Sequence, residues 1–352
     1  MVDRGFGLEL ESSYGDTTVT KAEFDPNWWN QADDVNFQLN DKPVTKSGSS
    51  RMNKRARAGI MKPDGSTAAD ADLQQLTWYF RGLLDNYVFT EGDTPETGHE
   101  QVYIHEFYGG EGKDLQSFRG VAAFDKLIKY LYGLLVDKVT LECSNDSMKV
   151  NANWVYKTEA ADIIGKNGAT FDRPDELDNE YLFIMFYDLS LLLNNKSLGI
   201  TTKFTCETSN NLNVDNSTGF GARGPQKKAV AQKRDNKLSV ETTLTDDNLE
   251  DILAAQYGEV GALKPTSCKL LQVPLKLTIA HCENPDISCE ILFPKCTVAV
   301  EYNVSGIDEI KTTLTLETLG SSTVTLADET TEVETDIYIK LINNQDELVP
   351  AE

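Results

Sequence analysis

Hydrophobic and polar positions alternate with a period of two through much of the chain. Val139 to Cys143, Lys149 to Tyr156, Gly199 to Thr208, Lys237 to Leu244, Leu270 to Ala280, Cys296 to Val304, Lys311 to Leu319 and Thr335 to Ile342 are short runs rich in Val, Ile, Thr and aromatics, the signature of half-buried strands. Two stretches replace that rhythm with a helical one. Leu73, Leu76, Phe80, Leu83 and Leu84 share a face after Asp72, with Gln75 where a capping box would use it. Leu249, Ile252, Leu253 and Tyr257 form a similar stripe after Thr245-Asp246-Asp247, and Gly258 is placed to end it. The pattern predicts a mainly β protein with two short, one-faced helices.

The two helices belong to a longer internal repeat. Before the first lies Thr45 to Gly59, a loop holding Lys46, Arg51, Lys54, Arg55 and Arg57 with no acid. Before the second lies Gly221 to Lys237, holding Arg223, Lys227, Lys228, Lys233, Arg234 and Lys237 against Asp235 alone. Upstream, Asp34 to Leu39 answers Ile200 to Thr205 as a strand feeding each loop. Downstream, Val139 to Tyr156 answers Val298 to Leu316 as a closing pair. The offset between copies falls from 176 at Leu73 and Leu249 to 162 at Lys149 and Lys311, so the first copy carries 14 extra residues. The expectation is a surface loop in the Gly/Glu-rich stretch Thr90 to Lys113. The predicted organisation is a first domain over 1–160, a linker over 161–180, a second domain over 181–345 and a frayed acidic tail over 346–352.

Charge sharpens the picture. Of 352 residues, 33 are Lys or Arg and 56 are Asp or Glu, a formal net charge of −23. That balance excludes a protein that grips nucleic acid phosphates as its main task, and it disfavours anionic membrane. Without the 11 loop cations and Asp235, the remainder holds 22 basic and 55 acidic residues, a net −33. Matched basic loops on an acidic body suit self-association, where complementary patches steer and register contacts. Nucleic acid binding by the loops is the rival, weakened because only Phe220 stands near their cations to stack a base. The strongest apolar run, Tyr181 to Leu193, is too short to span a bilayer and carries Asp188. The N-terminus shows no secretory signal, so the six cysteines are expected reduced and mostly buried.

Catalytic signals are weak. Of three histidines, His105 alternates with apolar neighbours and reads as a strand residue on the wet face. His281-Cys282 with Cys268, Cys289 and Cys296 lacks zinc-knuckle spacing. Gly219 to Gly224 has no GxGxxG order, and no GxSxG, P-loop or HExxH is present. No cofactor, metal or enzymatic activity is expected.

The opening Gly7-Leu8-Glu9-Leu10-Glu11-Ser12-Ser13-Tyr14-Gly15-Asp16 resembles the G-x-x-x-E-x-x-Y-G-T start of tail tube proteins of long-tailed phages, with Asp16-Thr17 in place of the Thr. The order of strand, long basic loop, strand, helix and closing strands is similar to that family's. The second half, with Phe186 to Leu191 ahead of its strand, resembles a second tube domain. The sequence departs from the family at Ile60 to Gly65, which breaks early where a strand should follow the first loop.

The resemblance implies two tandem β-sandwich or half-barrel tail-tube domains, each with one flanking helix, in a non-enzymatic virion protein. It implies trimeric, pseudo-hexameric rings stacked into a tube in the virion tail, assembled in the host cytoplasm. The eleven loop cations become inter-ring or inter-subunit contacts. The other partners implied are the tape measure, terminator and baseplate proteins, with DNA passing a lumen it does not bind. The alternatives are a tail-end or baseplate ring protein of the same fold, and a free-standing two-domain β binding module or polysaccharide-active enzyme.

Overall fold

The computed structural model describes residues 4–18, 28–30, 34–41, 43–46, 55–92, 101–144, 146–166, 183–261, 271–282, 284, 286–303 and 310–350. Its first half runs β1 (Arg4–Leu10), β2 (Trp28–Asn30), β3 (Asp34–Gln38), β4 (Val44–Lys46), β5 (Arg55–Arg57), β6 (Asp64–Asp70), α1 (Leu73–Leu83), β7 (Asn86–Glu91), β8 (Tyr103–Tyr108), β9 (Phe118–Phe124), β10 (Leu127–Ser144), β11 (Met148–Val155) and β12 (Thr158–Ile163). The second runs β13 (Leu189–Leu193), β14 (Lys196–Ser197), β15 (Thr201–Ser209), β16 (Asp235–Thr243), α2 (Asp246–Tyr257), β17 (Val273–Ala280), β18 (Ser288–Asn303), β19 (Lys311–Thr318), β20 (Ser322–Thr325), β21 (Glu332–Thr335) and β22 (Tyr338–Asn343). The protein is mainly β, and no helix is long and apolar enough to cross a membrane among the described residues.

The antiparallel ladders repeat. In the first half they join β1 to β9, β9 to β10, β10 to β12 and β11, β11 to β6, and β6 to β3. In the second they join β13 to β17, β17 to β18, β18 to β22 and β19, β19 to β16, and β16 to β15. A bulge interrupts β9–β10 between Leu131 and Leu134, and another interrupts β17–β18 between Val273 and Leu275. The bulges lie where β10 passes from its β9 and β12 ladders to its β11 and β15 ladders, and where β18 passes from its β17 and β22 ladders to its β19 ladder. Among the described residues two ladders join the halves: β10 to β15, from Lys138↔Ser209 to Ser144↔Lys203, and β8 to β22. The first of these makes a continuous run β3-β6-β11-β10-β15-β16-β19-β18. One buried cluster extends through both halves, from Phe6 and Trp154 to Phe293 and Leu341.

Each helix begins where its cap dictates. Asp72 accepts from the Gln74 and Gln75 amides, and Thr245 accepts from Asn248, whose side chain returns the bond. Gly258 ends α2 at φ 95°, backbone that glycine adopts without strain. The first capping box does not form, because the Gln75 amide turns inward to Tyr79 Oη at 3.3 Å. Nor is α1 one-faced: nine of its 11 residues are buried, Trp78, Tyr79 and Phe80 included. Leu249 in α2 stays 37% exposed, while Ile252 and Ala255 supply the buried side. The caps align Asp72 with Thr245, an offset of 173 rather than the expected 176.

Three further expectations are corrected. Thr90 to Lys113 is no plain surface loop, because it contains β8, which pairs with β7 and carries the sheet on to β22. The chain does not break where a strand should follow the first loop: β6 starts at Asp64, and Gly65 makes it possible because the Phe37 ring occupies the space a Cβ would need. The last residues are not simply frayed, since Leu348 is 5% exposed and belongs to the core. Of the expected linker, 167–180 lies outside the described residues, and 161–163 belongs to β12.

Candidate assembly surfaces

Glu11, Tyr14 and Gly15 of the opening motif act together on the bend of β10. Gly15 and Gly133 both take positive φ, 60° and 68°, which lets their amides point at one carboxylate. The Glu11 carboxylate accepts from Gly15 N and from Gly133 N, each at 2.8 Å. Burial pushes its pKa up and these bonds pull it back. The Tyr14 ring fills the space beside Gly133, and the Lys157 ammonium lies 5.7 Å from its centre. The motif therefore fastens the start of the chain to the bulge region of β10; it is a structural staple.

The first basic loop leaves its root as a hairpin, Val44 opposite Arg57 and Lys46 opposite Arg55. Arg57 is exposed, as are Val44 and Ala56. Arg51 and Lys54, and the side chains of Lys46 and Arg55, lie outside the described residues.

The second basic loop lies on the first half of its own chain. Arg223 donates to Asp41 at 2.6 Å and to the Gly59 carbonyl at 3.2 Å, and its own carbonyl accepts from Met61 N. Lys228 meets Asp114 at 2.5 Å. Arg234 is clamped between Asp85 and Asp336, 2.8 Å from each, with only 10% of its side chain exposed. Under these contacts Leu212, Val214, Ala229 and Ala231 pack on Tyr14, Leu115, Leu135 and Val155. Lys233 pairs with Asp235 at 3.1 Å, while Lys227 and Lys237 are exposed. The structure thus brings Arg223, Lys228 and Arg234 to the seam between the halves. Sequence reasoning had the cations but not their carboxylates, which lie 102 to 182 residues away.

The shared eight-stranded run presents one polar face. Cross-strand rows such as Asn36, Ser66, Asn153, Lys138 and Ser209 stand on it, as do Asp70, Lys149, Glu142, Thr205, Ser239 and Thr315. Across the β10–β15 seam, Lys138 pairs with Glu207 at 3.1 Å and Lys203 with Glu142 at 3.0 Å. The two ends of the run are alike in one respect. Among the described residues, β3 has a ladder only with β6, and 297–303 of β18 only with β19.

His105 is fully buried, contrary to the expectation of a wet-face position. Its Nδ1 lies 3.0 Å from Tyr87 Oη and its Nε2 2.7 Å from the Gln345 carbonyl, and burial lowers its pKa to about 4. His281 Nδ1 accepts from Asn284 N at 3.2 Å. Burial pushes the Cys206 and Cys296 thiols up to about 12, which makes them poor nucleophiles and ligands. Cys268 lies outside the described residues, and among those described no cluster of His, Cys, Asp and Glu is placed to hold a metal.

Compared with family models, residues 3–280 match the one described as phage tail tube protein. Compared with curated proteins, the chain has no match.

Proposed function

Because the chain belongs to the phage tail tube protein family, we propose that this structural virion protein is the major tube subunit, without enzymatic activity. Three copies close a ring of six homologous domains, and rings stack into the conduit through which the genome leaves. The domains span 1–160 and 181–345 with the join in 161–180, β12 carrying the first domain's last strand three residues into that join.

One observation carries this reading: two halves with matching ladders are joined through unlike edges, β10 of the first to β15 of the second. The counterpart of β10 is β18, and the counterpart of β15 is β3. A contact between equivalent units through unlike surfaces leaves one of each surface unused at the ends, and repetition of that contact gives a ring if the rotation closes. The polar face of the shared sheet suits the lumen. It carries no aromatic residue, and its nine acids, among them Asp34, Asp70, Glu207, Glu241, Glu301 and Glu317, outnumber the five lysines Lys138, Lys149, Lys203, Lys237 and Lys311, so its net negative charge would disfavour phosphate and it gives bases nothing to stack on.

The loops follow the same logic. Since Arg223, Lys228 and Arg234 hold the second loop against the first half, the first loop, with Lys46, Arg51, Lys54, Arg55 and Arg57, reaches a neighbouring copy. Lys227 and Lys233 lie near the same seam and serve contacts between copies, whereas Lys237, opposite Glu207 and Glu317 on the polar face of the sheet, falls to the lumen. Further partners are the tape measure, terminator and baseplate proteins of the tail; assembly takes place in the host cytoplasm, and DNA passes without specific binding. Native mass spectrometry and negative-stain microscopy test the proposal. Rings of three chains that stack as concentration rises are expected, whereas six-chain rings, or a monomer at every concentration, would sink it.

A further inference from the structure

We infer that the next copy of this chain adds to the sheet in a definite register, with β3 of one copy paired antiparallel to the C-terminal part of β18 of another. Asn36 then lies opposite Asn303, Phe37 opposite Tyr302 and Gln38 opposite Glu301. The inference rests on the ring reading and deepens it, since it names which strands of two copies touch and how they are aligned.

The register follows from the seam already present inside the chain. Glu142 faces Lys149, which faces Asp70, two residues before the Asp72 cap. Asn303 faces Lys311, which faces Thr243, two residues before the Thr245 cap. Asn303 therefore occupies the place of Glu142. In the same way Asn36 faces Ser66 and Thr205 faces Ser239, each six residues before its helix cap, so Asn36 occupies the place of Thr205. Within the chain Glu142 lies opposite Thr205. Transferred to two chains, that pair becomes Asn303 opposite Asn36, and antiparallel alternation sets the rest.

The surfaces agree with this placement. Asn36, Gln38, Glu301 and Asn303 are exposed on the polar face, so both strands put polar side chains on the same side. On the other side Phe37 is buried, and Tyr302, still 42% exposed, would be covered beside it. The Asn36 carbonyl points at Gly65 of β6, so the peptide groups of Val35 and Phe37 point outward, as an edge strand requires for further pairing. In the free chain Lys129 Nζ donates to the Phe37 carbonyl at 2.7 Å. Lys129 belongs to β10 and also pairs with Glu159, so the chain's own lysine covers this one carbonyl of the β3 edge. The carbonyl's second lone pair remains for the Tyr302 amide.

Cysteine pairs test the register. Asn36 with Asn303, and Gln38 with Glu301, would be non-hydrogen-bonded pairs with Cα atoms about 4.5 Å apart, within disulfide range. Chains carrying Asn36→Cys with Asn303→Cys, or Gln38→Cys with Glu301→Cys, are oxidised after assembly and run on non-reducing gels beside the single variants and beside Asn36→Cys with Ala299→Cys. The first two should give linked species up to a closed trimer, and the last should stay unlinked. Amide exchange on the unsubstituted protein gives a second reading, with Phe37 and Tyr302 strongly protected in assemblies and not in the monomer. If tubes form but neither linkage nor protection appears, the register is overturned and the ring reading survives. If the out-of-step pair links as readily, the register is wrong. If the unsubstituted protein never assembles, both fall.

Discussion

Protonation of His105 would break a relay that ties the end of the chain to β8. In the neutral ring Nε2–H donates to the Gln345 carbonyl, and Nδ1 accepts from Tyr87 Oη, which itself accepts from Leu348 N at 3.4 Å. The pKa in the folded chain, about 4, lies below the ordinary value of 6.5, so the unfolded chain binds the extra proton more readily. The stability contributed by this group is complete above pH 6.5 and is lost as pH falls toward 4, at most about 3 kcal/mol. Asp72, pushed up to about 6 by burial, acts in the opposite sense across the same window, losing stability as pH rises through 6. The difference between the unsubstituted protein and His105→Gln isolates the histidine. Denaturant titrations between pH 6.5 and 5 should show a shallower decline in the variant, and parallel curves would refute the relay. At this scale Glu11 shows what a short motif leaves open without coordinates: the spacing of Glu, Tyr and Gly marks a resemblance, and only the fold brings two glycine amides 118 residues apart to its carboxylate.

Elements show which couplings hold the halves together. Arg234 joins the Asp85 turn, after α1, to Asp336, just before β22, and Asp85 also receives the Gly110 and Gly112 amides. Removing one partner of a buried ion pair leaves uncompensated charge, so Arg234→Met should cost about 3–5 kcal/mol. Replacing Asp85 and Asp336 with Asn in the same chain should restore part of that loss. Urea unfolding decides it, and a single variant as stable as the parent would show that the clamp contributes nothing. Much of the second half was legible as strands because β15, β16, β17 and β19 each bury one face and alternate. The first half was less legible where burial is two-sided or side chains are small. Phe118 to Ala123 is buried at every position, so β9 has no alternation to read. In β6, Asp-Gly-Ser-Thr-Ala-Ala-Asp has little strand preference of its own, and pairing with β3 and β11 imposes the conformation.

For the whole molecule, the two basic loops have different consequences. The second is part of the fold, through Arg223, Lys228 and Arg234, whereas Arg57 on the first is exposed. Replacing Lys46, Arg51, Lys54, Arg55 and Arg57 with Gln should abolish tube growth, while exposed Arg57 replaced alone should change monomer stability by less than about 0.5 kcal/mol, as a surface substitution does. Thermal unfolding of the monomer and tube length in electron micrographs measure the two effects, and tubes of normal length would remove the loop from assembly. The sequence by itself determined the mainly β character, the two caps, the paired loops and the charge contrast, because each of these is local or compositional. Tertiary structure decided which strands lie side by side, that β8 completes the sheet at β22, and that one loop is spent inside the chain. Those outcomes depend on ladders and ion pairs between residues far apart in sequence, and no local period encodes which distant edge a strand will meet.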